Sequence, residues 1–285
     1  MKQENRLEVK ELKPGFGVEV VNFDVRNAHA DRKKELVHLF DRHGALLLRG
    51  QNLDDPDDMM AFAEIFGEPE DHTQKQFTLP GFPKIYLLSN RAKDGQPSGA
   101  HYSGVGWHTD CSYREKPVKQ TMVYGLEVPP EGGDTIFADL CAAYNGLPEK
   151  RKKELGELVL HHSYKHFMAT REHLRRPLDK KMEEENPDVF HPLIRTHPAD
   201  GRKALWMSTG TVKEIVGMPN PEGLDLIEEL VEYATQEEFT FRHKWRVGDV
   251  VTWDNRCTLH TGSLFDDINC IRHAYRLWIK GDRPY

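Results

Sequence analysis

The chain has 285 residues and a mass of 32.9 kDa, enough for one large domain with a single core or for two small ones. Its 39 Lys and Arg against 46 Asp and Glu give a formal net charge of −7, which disfavours a nucleic-acid partner because the net field repels phosphate. The mean hydropathy of −0.67 and the short apolar runs predict a protein without a transmembrane helix. The amino terminus lacks the apolar stretch of a secretory signal, so we expect a cytoplasmic protein.

The cysteines are few and lie far apart, without a C-x-x-C pair. So few cysteines cannot stabilise a chain of this length through disulfide bonds, and their spacing disfavours a structural zinc site built on cysteine. We therefore expect reduced thiols at all four positions, which are Cys111, Cys141, Cys257 and Cys270.

The first quarter of the chain mixes helix and strand. Between Asp31 and Gly44 the apolar residues recur at helical spacing, and the glycine stands where a helix would end. Residues 45–49 follow as a predicted strand. An Asp-Pro pair at 55–56 then supplies an N-cap and a first-turn residue, which predicts a second helix that continues to Phe66.

From about Lys84 onward, short β-like runs separated by turn residues dominate the sequence. These runs are KIYLL, QTMVYGLEV, DTIFADL, LVLHHSY, HPLIRTH, KALWMS, EFTFRHKW, DVVTW and IRHAYRLWI. Two helices interrupt them, one after Pro148 and one at 221–234 with an apolar stripe. Many short strands with few helices favour a sandwich, jelly roll or barrel, and the absence of repeats or long tethers favours a single domain over 1–285.

The stretch at 171–186 is highly charged and has little apolar period. We interpret the surrounding residues, about 165–190, as a lid insertion over a site. A plain solvated loop is the alternative.

One histidine and one carboxylate stand two residues apart in Trp107-His108-Thr109-Asp110. On an extended segment both side chains lie on the same face, so together they could bind one metal ion. A second histidine, His260, follows an apolar strand and a turn. Two imidazoles and one carboxylate form the facial set of non-haem Fe(II) sites, but zinc accepts the same donors, so ligand type alone leaves both metals open.

The last predicted strand, 271–279, carries two arginines on one face. Side chains alternate along a strand, so Arg272 and Arg276 point the same way, about 13 Å apart at roughly 3.3 Å per residue. If that face is interior, each guanidinium needs an anion, and arginine suits bidentate pairing with a carboxylate. A solvated face with ordinary surface arginines is the alternative.

Together these residues resemble the Fe(II)/2-oxoglutarate-dependent taurine dioxygenase family (TauD/TfdA) over nearly the whole chain. The resemblance implies a mainly β fold with flanking helices, a double-stranded β-helix or jelly roll of the clavaminate synthase-like type. The motifs that carry the resemblance are Phe66-Gly67-Glu68, Trp107-His108-Thr109-Asp110, Gly132-Gly133-Asp134-Thr135, Arg195-Thr196-His197-Pro198, Trp253-Asp254-Asn255-Arg256 with His260, and Arg272 with Arg276.

The resemblance implies that His108, Asp110 and His260 are the catalytic Fe(II) ligands. Arg272, helped by the hydroxyl of Thr135, would bind the far carboxylate of 2-oxoglutarate, which chelates the iron and leaves one position for O₂. The implied reaction releases succinate and CO₂ and oxidises, most simply hydroxylates, a C–H bond of a small anionic substrate. Desaturation, cyclisation or oxidative cleavage in a natural-product pathway would use the same cofactor chemistry and stays open.

For the primary substrate, the resemblance implies that Arg276 clamps a carboxylate or sulfonate and that His72 contacts the same molecule. Further candidates for the lining of the substrate pocket are Tyr102, Cys111 and Phe167.

Two departures from the taurine enzyme predict a substrate other than taurine. Gly104 stands where that enzyme has a polar amide, and residues 208–211 lack an aromatic residue that lines the taurine pocket. The resemblance also implies a homo-oligomer, a dimer or a tetramer.

Two functions from other classes remain as alternatives. A non-catalytic jelly-roll protein could keep the basic strand to capture a ligand. A zinc hydrolase could use two histidines and one carboxylate, and it would need a nearby general base.

Overall fold

The computed structural model describes residues 6–27, 29–93, 96–100, 104–170 and 180–285. Its helices are α1 (Ala30–His43), α2 (Pro56–Ala63), α3 (Leu140–Gly146), α4 (Glu149–Gly156), α5 (Tyr164–Thr170), α6 (Lys180–Glu185) and α7 (Glu222–Ala234), with 3-10 turns at Val25–Asn27, Lys75–Phe77 and Glu237–Phe239. Its strands are β1 (Val9–Lys13), β2 (Phe16–Val20), β3 (Ala45–Leu48), β4 (Pro69–Glu70), β5 (Thr78–Leu79), β6 (Phe82–Ser89), β7 (Ala92–Lys93), β8 (Gln96–Pro97), β9 (Gln120–Glu127), β10 (Thr135–Asp139), β11 (Val159–His162), β12 (Val189–Pro192), β13 (Ile194–Thr196), β14 (Lys203–Leu205), β15 (Val212–Ile215), β16 (Thr240–His243), β17 (Val250–Asp254), β18 (Thr258–Gly262) and β19 (His273–Ile279).

The first two helices begin and end for local reasons that the sequence signals. Gly44 ends α1 in the left-handed conformation, at φ 71°, and its N–H donates to the carbonyl of Phe40. Asp55 caps α2, because its side chain accepts a hydrogen bond from the N–H of Asp57. The second helix is shorter than predicted: it ends at Ala63 and the chain continues in a turn.

One large sheet and one small sheet build the frame of the site. The large sheet has nine strands, in the order β1-β2-β3-β17-β9-β19-β6-β5, with β4 added beside β19. The small sheet has the order β16-β10-β18. Phe137 of β10 packs 5.3 Å from Trp253 of β17, between ring centroids, so the two sheets pack face to face. This mainly β architecture confirms the predicted jelly-roll class.

Alternation along the strands separates the two faces of the large sheet. In β19, Tyr275, Leu277 and Ile279 belong to the core that the sheet shares with α1 and α2, whereas Ala274 belongs to the core between the sheets. The predicted two-face pattern of the last strand is therefore confirmed. The strand begins at His273 rather than at residue 271, and its pairing with β9 shifts register between His273 and Ala274.

Some local predictions were wrong. The run DTIFADL is not strand to its end: β10 stops at Asp139, whose carboxylate accepts hydrogen bonds from the N–H groups of Cys141 and Ala142 and so begins α3. The run HPLIRTH divides into β12 and β13. The hairpin of β1 and β2 and the strand β18 were not predicted.

The charged region at about 165–190 is only partly described. Helix α5 enters it and helix α6 lies near its end, whereas residues 171–179 are outside the described part of the chain. All four cysteines are free thiols, as expected. Among the described helices, none combines the length and the apolar character that crossing a membrane requires.

Candidate metal centre and active site

Two histidines lie side by side because their backbones pair. His108 and His260 form an antiparallel bridge, with N–H···O distances of 3.0 and 2.9 Å in the two directions. Directly paired residues project their side chains to the same side, and the imidazole centroids lie 4.1 Å apart. Strand β18 thus delivers His260 against the loop that carries His108.

Asp110 completes a three-residue cluster. Its Oδ1 lies 3.9 Å from Nε2 of His108, and its Oδ2 lies 3.8 Å from Nε2 of His260. One potential ligand atom from each of the three side chains lies within 4.8 Å of the others. The structure therefore brings together the three residues predicted as metal ligands.

The hydrogen bonds of His108 select one ring nitrogen for a ligand. Its Nδ1 lies 2.7 Å from the carbonyl of Gly106, which can only accept, so Nδ1 carries the proton. The other nitrogen, Nε2, then presents a lone pair toward Asp110. A metal-binding histidine is held in this way by a backbone carbonyl in many proteins.

Charge and burial set the ionisation of Asp110. Burial by itself would raise the pKa of this carboxyl group, but His260, Arg276 and His108 outweigh it and lower the pKa to about 2. A carboxylate that is ionised throughout the neutral range is available as an anionic ligand.

A second three-residue cluster, His197, Asp254 and Cys257, is fully buried. Here the carboxylate is already occupied: Arg256 Nε donates to it at 2.8 Å, and Nε2 of His197 lies 3.0 Å from it. Arg256 also reaches Asp41 of α1 at 2.8 Å. This cluster ties the segment before His260 to the first helix and has no free carboxylate oxygen for a metal.

Arg272 lies immediately before β19 and faces a cavity. The cavity is lined by side chains and backbone of Ser89, Ala100, Val105, Gly133, Gly262 and Arg272. Burial lowers the pKa of Arg272 to about 10. No nearby charge contributes to this lowering, so the cation faces the cavity without an anionic partner among the described residues.

A glycine and an asparagine shape the surroundings of Arg272. A Cβ on Gly133 would lie 3.4 Å from Cδ of Arg272 and 3.0 Å from Pro129. The amide group of Asn90 accepts from the N–H of Arg272 at 2.9 Å and donates to the carbonyls of Asp267 and Cys270. The loop before β19 is therefore fixed to the end of β6.

Arg276 stands between two aromatic rings. Its Cζ lies 4.5 Å from the ring centroid of Tyr86, its cross-strand partner on β6, and 4.6 Å from that of Trp278. Its Nε is buried and makes no hydrogen bond with the described residues. Stacking holds the planar guanidinium in place while its edge stays available for an anion.

Similarity to known proteins identifies the family of this chain. The profile of the "Taurine catabolism dioxygenase TauD, TfdA family" matches residues 8–278. The chain belongs to this family. As a TauD/TfdA dioxygenase it depends on Fe(II), 2-oxoglutarate and O₂. The predicted family, enzyme class and cofactors are thereby confirmed.

Relatives of this TauD/TfdA protein include several named enzymes. The α-ketoglutarate-dependent 2,4-dichlorophenoxyacetate dioxygenase of Cupriavidus pinatubonensis is 35% identical over 268 residues, which cover 90% of this chain and 91% of the relative. The α-ketoglutarate-dependent sulfate ester dioxygenase of Pseudomonas putida is 32% identical over 231 residues, or 77% and 71%. Among solved structures, AAD-2 in complex with Mn(II) and N-oxalylglycine superposes with a TM-score of 0.83 at 30% identity, covering 98% of this chain and 99% of that one.

Thr135 is the other residue predicted to contact the co-substrate of this TauD/TfdA protein. It begins β10, is buried, and pairs with Gly262 of β18. Its Oγ1 accepts a hydrogen bond of 3.0 Å from the indole N–H of Trp245. Because that donor fixes Thr135 as an acceptor there, its own hydroxyl proton is free to point elsewhere.

His72 packs against the same rings as Arg276. Its imidazole centroid lies 4.1 Å from Trp278 and 4.8 Å from Tyr86, and the residue is 1% exposed. Burial, and then the charge of Arg276, hold its pKa well below the ordinary value. His72 is therefore a neutral imidazole beside the cation.

Three further residues were predicted to contact the substrate. Cys111 and Phe167 share an apolar cluster with Trp278, and both lie against Tyr113, Phe167 at 5.7 Å between centroids. Burial raises the pKa of Cys111 to about 11, so the side chain is a neutral thiol at neutral pH. It therefore contributes packing and does not act as a thiolate nucleophile. Tyr102 lies outside the described residues.

Sequence reasoning assigned no role to two residues that orient Asp110 through hydrogen bonds. Thr121 of β9 donates to Asp110 Oδ2 at 2.6 Å, and Asn255 donates to Thr121 at 2.9 Å. The available signal was a threonine inside a mostly apolar strand, and an asparagine in the turn before His260. A polar residue at a buried strand position requires a partner, but only the fold shows which one.

Proposed function

We propose that this dioxygenase oxidises, most simply hydroxylates, a C–H bond of a small carboxylate- or sulfonate-bearing molecule, while 2-oxoglutarate is converted to succinate and CO₂. The observation that carries the proposal is the set of His108, Asp110 and His260 together with two guanidinium groups that form no salt bridge with a carboxylate of the described residues. One cation would serve the co-substrate and the other the primary substrate.

The donor set suits the iron that the family requires. Two imidazole nitrogens and one carboxylate oxygen are the usual protein ligands of non-haem Fe(II) in oxygenases, and they leave three positions for other molecules. We therefore assign Fe(II) binding to His108, Asp110 and His260. Membership of an oxygenase family favours this reading over a zinc hydrolase or a non-catalytic binder.

When bound, the iron supplies the oxidising chemistry with O₂ and 2-oxoglutarate, and the protein supplies placement. We assign the far carboxylate of 2-oxoglutarate to Arg272, because this cation faces a cavity and lacks an anion. The hydroxyl of Thr135 would donate to the same carboxylate, since its lone pair already accepts from Trp245.

We assign the anionic group of the primary substrate to Arg276. Its position between Tyr86 and Trp278 restricts the guanidinium to one plane, which favours a bidentate pair with a carboxylate or sulfonate. Named relatives act on dichlorophenoxyacetate and on sulfate esters, both of which carry an anionic group. His72, as a neutral neighbour, would contact the substrate without adding to the charge.

The apolar part of the substrate would contact an aromatic cluster. This cluster lies next to Arg276 and includes Tyr113, Phe167 and Trp278, with Cys111 packed among the rings. Tyr102 stays a further candidate from the sequence. A molecule with an anionic end and an apolar or aromatic body fits these surroundings better than taurine, which has a second charge.

A screen for oxygen-dependent succinate release would test the proposal. Purified protein, Fe(II) and 2-oxoglutarate would be incubated with small carboxylic and sulfonic acids, with and without O₂. We expect one class of acids to increase succinate release, only with O₂ present, and the increase to be lost in Arg276→Gln. Stimulation by uncharged analogues equal to that by the acids would contradict the anion clamp.

A spectroscopic titration separates the enzyme from a non-catalytic ligand-binding protein. Without oxygen, Fe(II) and 2-oxoglutarate together should give a weak visible charge-transfer band in the enzyme, and a protein without the iron site should give none. This measurement needs no knowledge of the primary substrate.

Three further sequence predictions belong to the proposal. The chain would form one dioxygenase domain with a lid at about 165–190, it would assemble as a homodimer or tetramer, and it would act in the cytoplasm without a nucleic-acid or membrane partner. Light scattering on the purified protein would test the assembly. Limited proteolysis with and without 2-oxoglutarate and a substrate acid would test the lid, whose cleavage should slow when the site is filled.

A further inference from the structure

The two oxygens of the Asp110 carboxylate have different surroundings. Oδ2 accepts a 2.6 Å hydrogen bond from the hydroxyl of Thr121. Oδ1 accepts no hydrogen bond from the part of the chain that the structure describes, and it faces Nε2 of His108 at 3.9 Å. One oxygen is engaged by the protein, and the other is left for a further ligand.

The direction of each hydrogen bond in this group follows from the chemistry of its members. The backbone N–H of Asp110 points at Asn255 Oδ1, at 3.2 Å, and this fixes which end of the amide is oxygen. The NH₂ group of Asn255 then faces Thr121 Oγ1 at 2.9 Å and can only donate. Because Thr121 accepts there, its single proton goes to Asp110 Oδ2.

Asn255 is itself held on several sides. Its N–H donates to the carbonyl of Lys119 at 2.9 Å, and its carbonyl accepts from the indole of Trp206 and the hydroxyl of Thr109, both at 2.8 Å. Asn255 and Thr121 are completely buried. A hydrogen-bonded group this enclosed has one arrangement, so it can hold a carboxylate in a fixed orientation.

We propose that Thr121, set by Asn255, is a positioning residue that makes Asp110 bind the metal through Oδ1 alone, a role that rests on the proposed iron site. A carboxylate that binds through both oxygens would take two coordination positions. A one-oxygen ligand takes one, so that with His108 and His260 three positions remain for a chelating co-substrate and O₂. The Thr121 hydroxyl therefore preserves the open positions that the reaction needs.

Metal titration of Thr121 variants tests this role without turnover. Co(II) alone would be the probe, with its dissociation constant and visible spectrum as readouts. Thr121→Val keeps the shape of the side chain and removes the hydroxyl, and we expect the affinity to fall roughly 10- to 100-fold, as for other lost partners of metal ligands. Thr121→Ser restores the hydroxyl and should bind Co(II) close to wild-type strength, with the wild-type spectrum.

Thr252→Val is the matched control. Thr252 is equally buried, and its hydroxyl donates to the carbonyl of Thr121 and accepts from Gln120, but it does not contact Asp110. We expect this variant to lose stability and to keep its Co(II) affinity. Equal weakening in both valine variants would overturn the proposal, because it would indicate general loosening of the core. If Thr121→Val does not fold, Thr121→Ala, which removes the hydroxyl without adding volume, gives the same comparison.

His260→Gln separates failure of this role from failure of the iron site. If Co(II) binding is lost in His260→Gln but unchanged in Thr121→Val, the metal site stands and the role of Thr121 is wrong. If His260→Gln binds Co(II) as strongly as the wild type, the proposed iron site and the role of Thr121 are both wrong.

Discussion

His108 and His260 exchange both backbone hydrogen bonds, at 3.0 and 2.9 Å, and this pairing places their imidazoles 4.1 Å apart. The proposed metal centre is therefore built on a β-bridge between a loop and β18, which fixes the separation of the two backbones. Asp110 follows in the same loop and closes the cluster. This geometry leads to predictions that can be checked one residue at a time.

His108→Ala should reduce Fe(II) occupancy by at least about 100-fold, because it removes one of three protein ligands. Metal analysis after anaerobic loading and desalting measures the effect. His161→Gln is the control: His161 is also buried, but it contacts Glu214 and Asp188, each at 2.8 Å, away from the centre. Full iron occupancy in His108→Ala would remove this residue from the ligand set.

Arg272→Ala should raise the 2-oxoglutarate concentration needed for half-maximal succinate release by about 100-fold, because it leaves one partner of a partly buried charge pair alone. The rate at saturating 2-oxoglutarate should change less. Arg276→Ala serves as the comparison. We expect it to weaken binding of the primary substrate and to leave the 2-oxoglutarate requirement near the wild-type value. If Arg276→Ala raised the 2-oxoglutarate requirement and Arg272→Ala did not, the roles assigned to the two arginines would be wrong.

Gly132→Ala should destabilise the protein by at least about 2 kcal/mol and disturb the loop that leads to Arg272. Gly132 has φ 74°, and a Cβ there would lie 2.4 Å from the carbonyl oxygen of Leu264. Gly217→Ala isolates the backbone effect, since Gly217 has φ 79° and no atom within 4 Å of the added Cβ. Urea unfolding would compare the two, and an equal loss in both variants would show that the contact with Leu264 has no cost.

Stability should fall as the pH drops from about 6.5 toward 4. Burial lowers the pKa of His191 to about 4, and its Nε2–H donates to the carbonyl of Arg114 at 2.9 Å. Within this window the unfolded chain binds a proton at His191 that the folded chain does not, so unfolding is favoured as protons are added. Above pH 6.5 both states are neutral there and the effect vanishes.

Urea unfolding at several pH values measures this linkage. His191→Gln keeps a donor toward Arg114 and removes the titration, so its stability should decline less steeply between pH 6.5 and 4. The difference from wild type should grow as the pH falls and reach about 3 kcal/mol near pH 4. Burial also holds the pKa of neighbouring His162 well below its usual value, so part of the acid sensitivity should remain in the variant. The same dependence of stability on pH in the wild type and in His191→Gln would contradict the low pKa of His191.

Much of the frame could be predicted from local patterns. Gly44 ended the first helix and Asp55 capped the second, because both signals act within a few residues. The alternation of the last strand separated Arg276 from Tyr275, because neighbouring side chains on a strand must point to opposite faces. Asp139 shows the limit: the apolar run around it has a β pattern, but its carboxylate caps a helix, and pattern alone does not distinguish the two.

The sequence by itself determined the types of donor and their order along the chain: a histidine and a carboxylate two residues apart, a distal histidine, and two arginines on one strand face. Only the tertiary structure decided that the two histidines and the carboxylate converge, that Arg276 lies between Tyr86 and Trp278, and that Thr121 donates a hydrogen bond to Asp110. The physical reason is that spacing fixes the direction of a side chain within one element, whereas the pairing of β18 with distant segments fixes which directions converge.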